Sequence, residues 1–310
     1  MADAALAPPT PVLGDLMSAA TEALGLALRE PGRASALAAT ALAKARAGRE
    51  PAAASVAERA LGLAARSQHR LAVSENHLRR AVRTAESAGL PELAGEARMS
   101  LVGTLALRGE WDRALREADT AAAALRGLPL ARLEATRANV HRDQGRLDEA
   151  LEGFRRALPV FRRHGDRLWE ANTHTNRGLT RFQRGDLAGA EADLRRAEEI
   201  YVALDQAPRA AMARQNLGLV VAVRGDIPEA LAWFDSADEE LRRCGHDDAM
   251  GLTDRSEAFL AAGLTVDARQ CAARAVEALA REGRSGYLAI AQLKLAEAAL
   301  AEGDVGTART

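Results

Sequence analysis

Aromatic residues make up only 3% of this 310-residue chain, which holds two cysteines and, among 42 basic residues, just two lysines, Lys44 and Lys294. No stretch of about 18 apolar residues free of charge occurs, so no membrane-spanning helix is expected. Cys244 and Cys271 are too few and too far apart for a disulfide scaffold or a metal-type cysteine pair. With no secretory leader, they read as free thiols of a cytoplasmic protein. Residues 1–11 are rich in Ala and Pro and carry no basic segment, so they read as a disordered tail rather than a signal peptide. An excess of one charge is missing too, since the net charge is −1. Acids and bases alternate, as in Arg113-Ala114-Leu115-Arg116-Glu117, which argues against nucleic acid as a partner. One imbalance is local: residues 226–257 hold ten acids against three arginines. That run reads either as a solvated convex face or as a dock for a basic partner. Alanine and arginine in such abundance point to a GC-rich bacterial genome.

What the chain does have is a turn that recurs about every 40 residues. It reads Arg108-Gly109-Glu110, Gln144-Gly145-Arg146, Arg184-Gly185-Asp186, Arg224-Gly225-Asp226, Ala262-Gly263-Leu264 and Glu302-Gly303-Asp304. Five positions after each glycine stand Ala114, Ala150, Ala190, Ala230, Ala268 and Ala308. Twelve positions after come Ala121, Ala157, Ala197, Ala237 and Ala275. Two earlier turns, at His69 and Arg29, extend the register to Ser74 and Ala81, then to Ala34 and Ala41.

Two helices joined by a short turn approach closely only where the contact residue is small. Alanine meets that need without the helix cost of glycine, about 1 kcal/mol. Seven positions before the turn, Gly62, Gly178 and Gly218, with Ala138 and Ala296, are small as well. Nine positions after it, Phe154, Leu194 and Phe234 supply bulk. Gly89-Leu90-Pro91 and Gly127-Leu128-Pro129 read as stops between units. The spacing predicts an all-α chain of helix pairs near 12–47, 51–87, 91–126, 129–163, 167–203, 207–243 and 247–281. An eighth, incomplete pair is expected over 285–310, with its second helix starting near Val305. A repeat array ends on a polar capping helix, and none is evident here, so the chain reads as the front part of a longer protein.

Small residues before the turn, Gly-Asp within it and two alanines seven apart after it resemble the tetratricopeptide repeat over residues 12–310. The period exceeds the common 34 residues and is similar to the long-unit branch of that family. Gly165-Asp166-Arg167, Glu170-Ala171 and Asn176-Arg177-Gly178 carry the likeness. Arg181 and Val221 depart from it, standing where a tyrosine is common. The resemblance implies a right-handed α-solenoid of seven to eight antiparallel helix pairs, with the first helix of each pair lining a concave groove.

Signals for chemistry are absent. There is no phosphate-binding G-x-x-x-x-G-K-[ST] and no strand-flanked G-x-G-x-x-G. Cys244 lies near His246, with no orienting third group and no oxyanion cradle. His69, His77 and His246 beside Asp247-Asp248 have no tight metal-ligand spacing. No enzyme, cofactor or metal site is expected.

The groove implied by the resemblance places residues 13, 10, 9, 6, 3 and 2 before each turn on the inner face. In the fifth unit these are Asn172, Thr175, Asn176, Leu179, Phe182 and Gln183; the sixth adds Gln215, Asn216 and Leu219, and the fourth Arg132, Asn139 and Arg142. Asn176 and Asn216 lie one period apart, and a side-chain amide both donates to and accepts from a peptide backbone. In long-unit relatives asparagines at this place hold peptide backbone, which the resemblance carries to Asn176 and Asn216 alone, since Thr136 and Asp254 occupy the neighbouring places. The same amides can instead bond between neighbouring helices. Arg132 and Arg142 suit a carboxylate. The lysine-bearing carboxylate clamp of some relatives is missing.

Three functional readings follow. The chain resembles the repeat array that precedes a caspase-like CHAT protease domain in actinobacterial proteins, which implies a non-catalytic sensing part that binds a protein or peptide. The second reading is a free-standing adaptor or oligomerisation scaffold. The third is the helical array of a transcriptional regulator.

Overall fold

The computed structural model describes residues 13–245, 249–282, 285–304 and 306. Among these every regular element is an α-helix: α1 (Leu13–Leu26), α2 (Pro31–Ala47), α3 (Pro51–Ser67), α4 (Leu71–Ser87), α5 (Pro91–Leu107), α6 (Trp111–Ala124), α7 (Gly127–Asp143), α8 (Leu147–Arg163), α9 (Arg167–Gln183), α10 (Leu187–Ala203), α11 (Ala207–Arg224), α12 (Ile227–Arg243), α13 (Ala249–Ala261), α14 (Thr265–Glu282) and α15 (Ser285–Ala301). The helix pairs expected from the 40-residue period are all present up to α14. The tail, His246 to Asp248 and the expected helix near Val305 lie outside the described residues. One boundary shifts: α6 stops at Ala124, Leu125 is extended, and α7 starts at Gly127, two residues before the expected start.

The ends of the helices follow from local chemistry. Pro31, Pro51 and Pro91 open α2, α3 and α5, where the missing N–H costs nothing. The side chains of Asp166, Asp186 and Asp226 accept from the backbone N–H of Trp169, Gly189 and Glu229 and cap α9, α10 and α12. The turn glycines Gly109, Gly145, Gly185, Gly225, Gly263 and Gly303 take the left-handed conformation that glycine reaches without steric cost. His69 holds it without being a glycine, at φ 56°.

The chain forms two compact units that divide within α8, between Val160 and Phe161. The alanine register fills the helix crossings of both. Ala114, Ala150, Ala190, Ala230 and Ala268 are fully buried, as are Ala121, Ala197, Ala237, Ala275 and the earlier Ala34, Ser74 and Ala81. In the N-terminal unit α1 packs on α3, α3 on α5 and α5 on α7. In the C-terminal unit α9 packs on α11, α11 on α13 and α13 on α15. Second helices meet through side chains, as where Arg195 of α10 reaches Glu229 of α12 at 3.2 Å, while successive first helices pack backbone on backbone in each unit. The first helices therefore form the inner row of each unit.

Candidate functional site

Inner-row side chains fall into two chemical groups. On the N-terminal unit the row is rich in arginine. Arg59 of α3 donates through Nε to Ser100 Oγ at 2.9 Å and through Nη1 to Glu96 of α5. Arg66, two turns further along α3, donates to the Ser100 carbonyl at 3.4 Å. Burial pulls down the pKa of both, and in Arg66, where the charge of Arg59 adds to it, to about 10. Arg132 of α7 lies close enough for its charge to lower the pKa of Arg59 further.

Of the residues expected in the fourth unit, Arg132 and Asn139 are half-buried in α7, and Asn139 Oδ1 is buried with no hydrogen-bond partner among the described residues. Arg142 is not a spare cation: its guanidinium pairs with the adjacent Asp143 at 3.0 Å. Thr136 bonds back to the Arg132 carbonyl of its own helix.

On the C-terminal unit the row carries amides. Asn176 and Asn216 are half-buried at matching places on α9 and α11, and Gln183 is exposed near the end of α9. Three neighbours behave otherwise. Asn172 Oδ1 accepts from Tyr201 Oη at 2.8 Å and from Arg209 Nη1 at 3.0 Å, so this amide ties three helices together. Gln215 is 7% exposed and belongs to the interior. Phe182 packs against Ala190, Leu194, Leu217 and Val220. The spacing rule counts positions along the helix. It ignores the reach of these three, which lets a long side chain next to a helix crossing turn inward.

Beneath this row lies a polar layer that the sequence did not reveal. Arg162 Nη2 donates to His174 Nε2 at 3.1 Å, so the imidazole is neutral there and its Nδ1–H donates to Asp193 at 2.7 Å. Asp193 also receives Arg177 at 2.6 Å and Arg181 at 2.9 Å. Burial pushes the Asp193 carboxyl up, but the hydrogen bonds from His174 and Arg177 and the charges of Arg177 and Arg181 outweigh it and hold the pKa below its ordinary value. In the N-terminal unit Glu58, 1% exposed, pairs with His77 at 2.6 Å and Arg46 at 2.7 Å. Glu58 and His77, like Asp193 and His174, face one another inside one helix pair, and Arg46 and Arg162 reach them from the preceding pair.

Cys271 is buried, and burial raises its thiol pKa, which keeps it protonated. Cys244 is exposed at the end of α12, and its expected neighbour His246 lies outside the described residues. No cluster of three His, Cys, Asp or Glu with metal-binding geometry occurs among the described residues, and no described helix is long and apolar enough to cross a membrane.

The inner row of first helices, the left-handed turn glycines and the buried alanines are the features that a repeat family would share. Residues 129–203 match the tetratricopeptide repeat family. That match covers α7 to α10 and includes Arg132, Asn139, Arg142, Asn172, Asn176 and Gln183. No curated protein matches the sequence. Solved structures are similar in fold along nearly the whole chain. The apo form of RapI superposes with a TM-score of 0.67 at 14% identity, covering 96% of this chain and 83% of that one. The apo quorum sensor NprR from B. thuringiensis gives 0.66 at 13% identity over 94% and 84%. The Rap conjugation gene regulator of plasmid pLS20, solved with the Phr* peptide, gives 0.56 at 16% identity over 96% and 92%. The chain is thus an all-α repeat array with tetratricopeptide repeats over residues 129–203 and a fold similar to that of these solved structures.

Proposed function

We propose that this chain is a non-catalytic array that binds a peptide or protein segment along its inner row. The observation that carries this reading is the inner row itself: a continuous file of first helices in each unit, bearing half-buried Asn176 and Asn216 on one and Arg59, Arg66 and Arg132 on the other. Asn172 and Gln215 are assigned to packing, Arg142 to its pair with Asp143, and Asn139 and Gln183 to the periphery of the face. The Rap regulator similar in fold is complexed with a peptide, which supports the same use here. The repeat style supports a further step, in which a bacterial, cytoplasmic array senses a ligand on behalf of an effector such as a CHAT-type protease.

The test is selection from a random peptide display library on the intact chain, repeated with Asn176→Ala and Asn216→Ala together. The double variant should keep its helical circular dichroism and bind the selected peptides at least tenfold more weakly. Undiminished binding by the double variant would remove the amide pair from the site, and a wild-type chain that enriches no peptide would sink the reading.

A further inference from the structure

The inner face of the N-terminal unit carries a positive charge that its own fold leaves unanswered. Arg59 and Arg66 are seven residues apart on α3 and share one face. The Arg59 side chain is only 12% exposed, and the carboxylate of Glu96 answers it. Arg66 has no carboxylate partner among the described residues; one carbonyl, that of Ser100, receives it at 3.4 Å. A guanidinium offers five donors, so most of those on Arg66 are uncommitted. Arg132 brings a third positive charge toward Arg59. Holding the Arg66 guanidinium between helices without an acid destabilises the folded chain.

The fold nevertheless makes room for this arrangement. A Cβ at Gly103 of α5 would lie 2.7 Å from Arg66 Nη1, so the guanidinium reaches into space that glycine leaves open. Elsewhere arginines gathered round a buried acid are matched differently. Arg108 and Arg113 share Glu75 but also hold Glu110. Arg66 has no such acid among the described residues.

We propose that Arg66, with Arg59 beside it, receives a carboxylate of an acidic peptide. This rests on the peptide-binding reading and names the chemistry of the ligand. Glu96 shows that a carboxylate fits between these helices, and the flat guanidinium of Arg66 is free to pair with a second one. The incoming carboxylate supplies the charge that the fold omits.

Four-residue peptides blocked at both ends, one of glutamate and one of glutamine, test this with the full chain. Binding is followed through the Nε–H signals of Arg59 and Arg66 by nuclear magnetic resonance. The glutamate peptide should shift both signals and bind at least tenfold more tightly than the glutamine peptide. Arg66→Gln should abolish that preference, and Glu96→Gln should strengthen glutamate binding several-fold by removing the resident competitor. Gly103→Ala, which adds only a methyl group to a helix, should weaken it while leaving the fold intact. Equal binding of the two peptides, or inorganic phosphate displacing the glutamate peptide with tighter affinity, would overturn the proposal. If library-selected neutral peptides still bind while the acidic preference is missing, this site fails and the peptide-binding reading stands. A chain that binds no peptide of either charge overturns both.

Discussion

Leu78 stands directly over Gly62: a Cβ on that glycine would lie 2.6 Å from Leu78 Cγ. The same meeting recurs in the fifth and sixth helix pairs. A Cβ on Gly178 would lie 2.9 Å from Leu194 Cγ, and one on Gly218 would lie 2.7 Å from Phe234 Cε1. The large residue always follows the glycine by 16 positions, which places it seven before and nine after the turn. A hole and its filler are thus encoded on opposite arms of one hairpin.

Gly218→Ala should therefore lose stability, although alanine is the better helix former. Overpacking against a buried ring costs about 1–3 kcal/mol, against a helix gain of about 1 kcal/mol. Gly103→Ala meets only the mobile tip of Arg66 and should be neutral or gain up to about 1 kcal/mol. Urea denaturation of the two variants side by side checks this, and equal midpoints would show that Phe234 does not close on Gly218.

Ala190→Leu and Ala230→Leu replace fully buried contact residues in α10 and α12. Each should cost on the order of 1–3 kcal/mol. An unchanged melting temperature would place these alanines away from the helix crossing.

Asp193→Asn leaves Arg177, Arg181 and His174 without their common anion. The loss should be roughly 3 kcal/mol near neutral pH, as for removal of one partner from a buried ionic cluster. Because the folded pKa of Asp193 lies below its ordinary 3.8, its contribution is complete above that pH and disappears as pH falls through the lower folded value. The wild type should therefore lose part of its margin over the variant in urea melts below about pH 4. A constant margin down to pH 2 would remove Asp193 as the source.

Asp226→Ala removes the side-chain acceptor that caps α12 at the Glu229 N–H and should cost about 1 kcal/mol, whereas Asp226→Asn should cost far less. Thermal melts of both variants decide between a capping role and a purely electrostatic one.

Much of the fold was legible because it is written in size. Small residues at fixed places before and after the turn gave the helix pairs to within a few residues, and Ala34 through Ala275 occupy the buried places that the spacing assigns them. The polar layer was not legible, because its pattern is kept while its signs change. Eleven before and eight after the turn stand Glu58 with His77, Arg98 with Glu117, and His174 with Asp193. A search for one recurring residue type passes over such a rung, whereas a search for an acid 19 residues from a histidine or arginine finds it. Arg59 and Arg66 were missed for another reason. In a chain with arginines throughout, only the shortage of acids around these two sets them apart, and that is a property of packing.

The alternating sign of these rungs also bears on how the chain finds its own pairing. Helices built on one alanine template are nearly interchangeable partners, and arrays of similar units are prone to misassembly. If α3 closed on α10, Glu58 would face Asp193; if α9 closed on α4, His174 would face His77. Each wrong hairpin would bury an acid against an acid or one imidazole against another and lose the bond that the right one makes. The rungs thus penalise a first helix that closes on a second helix other than its own.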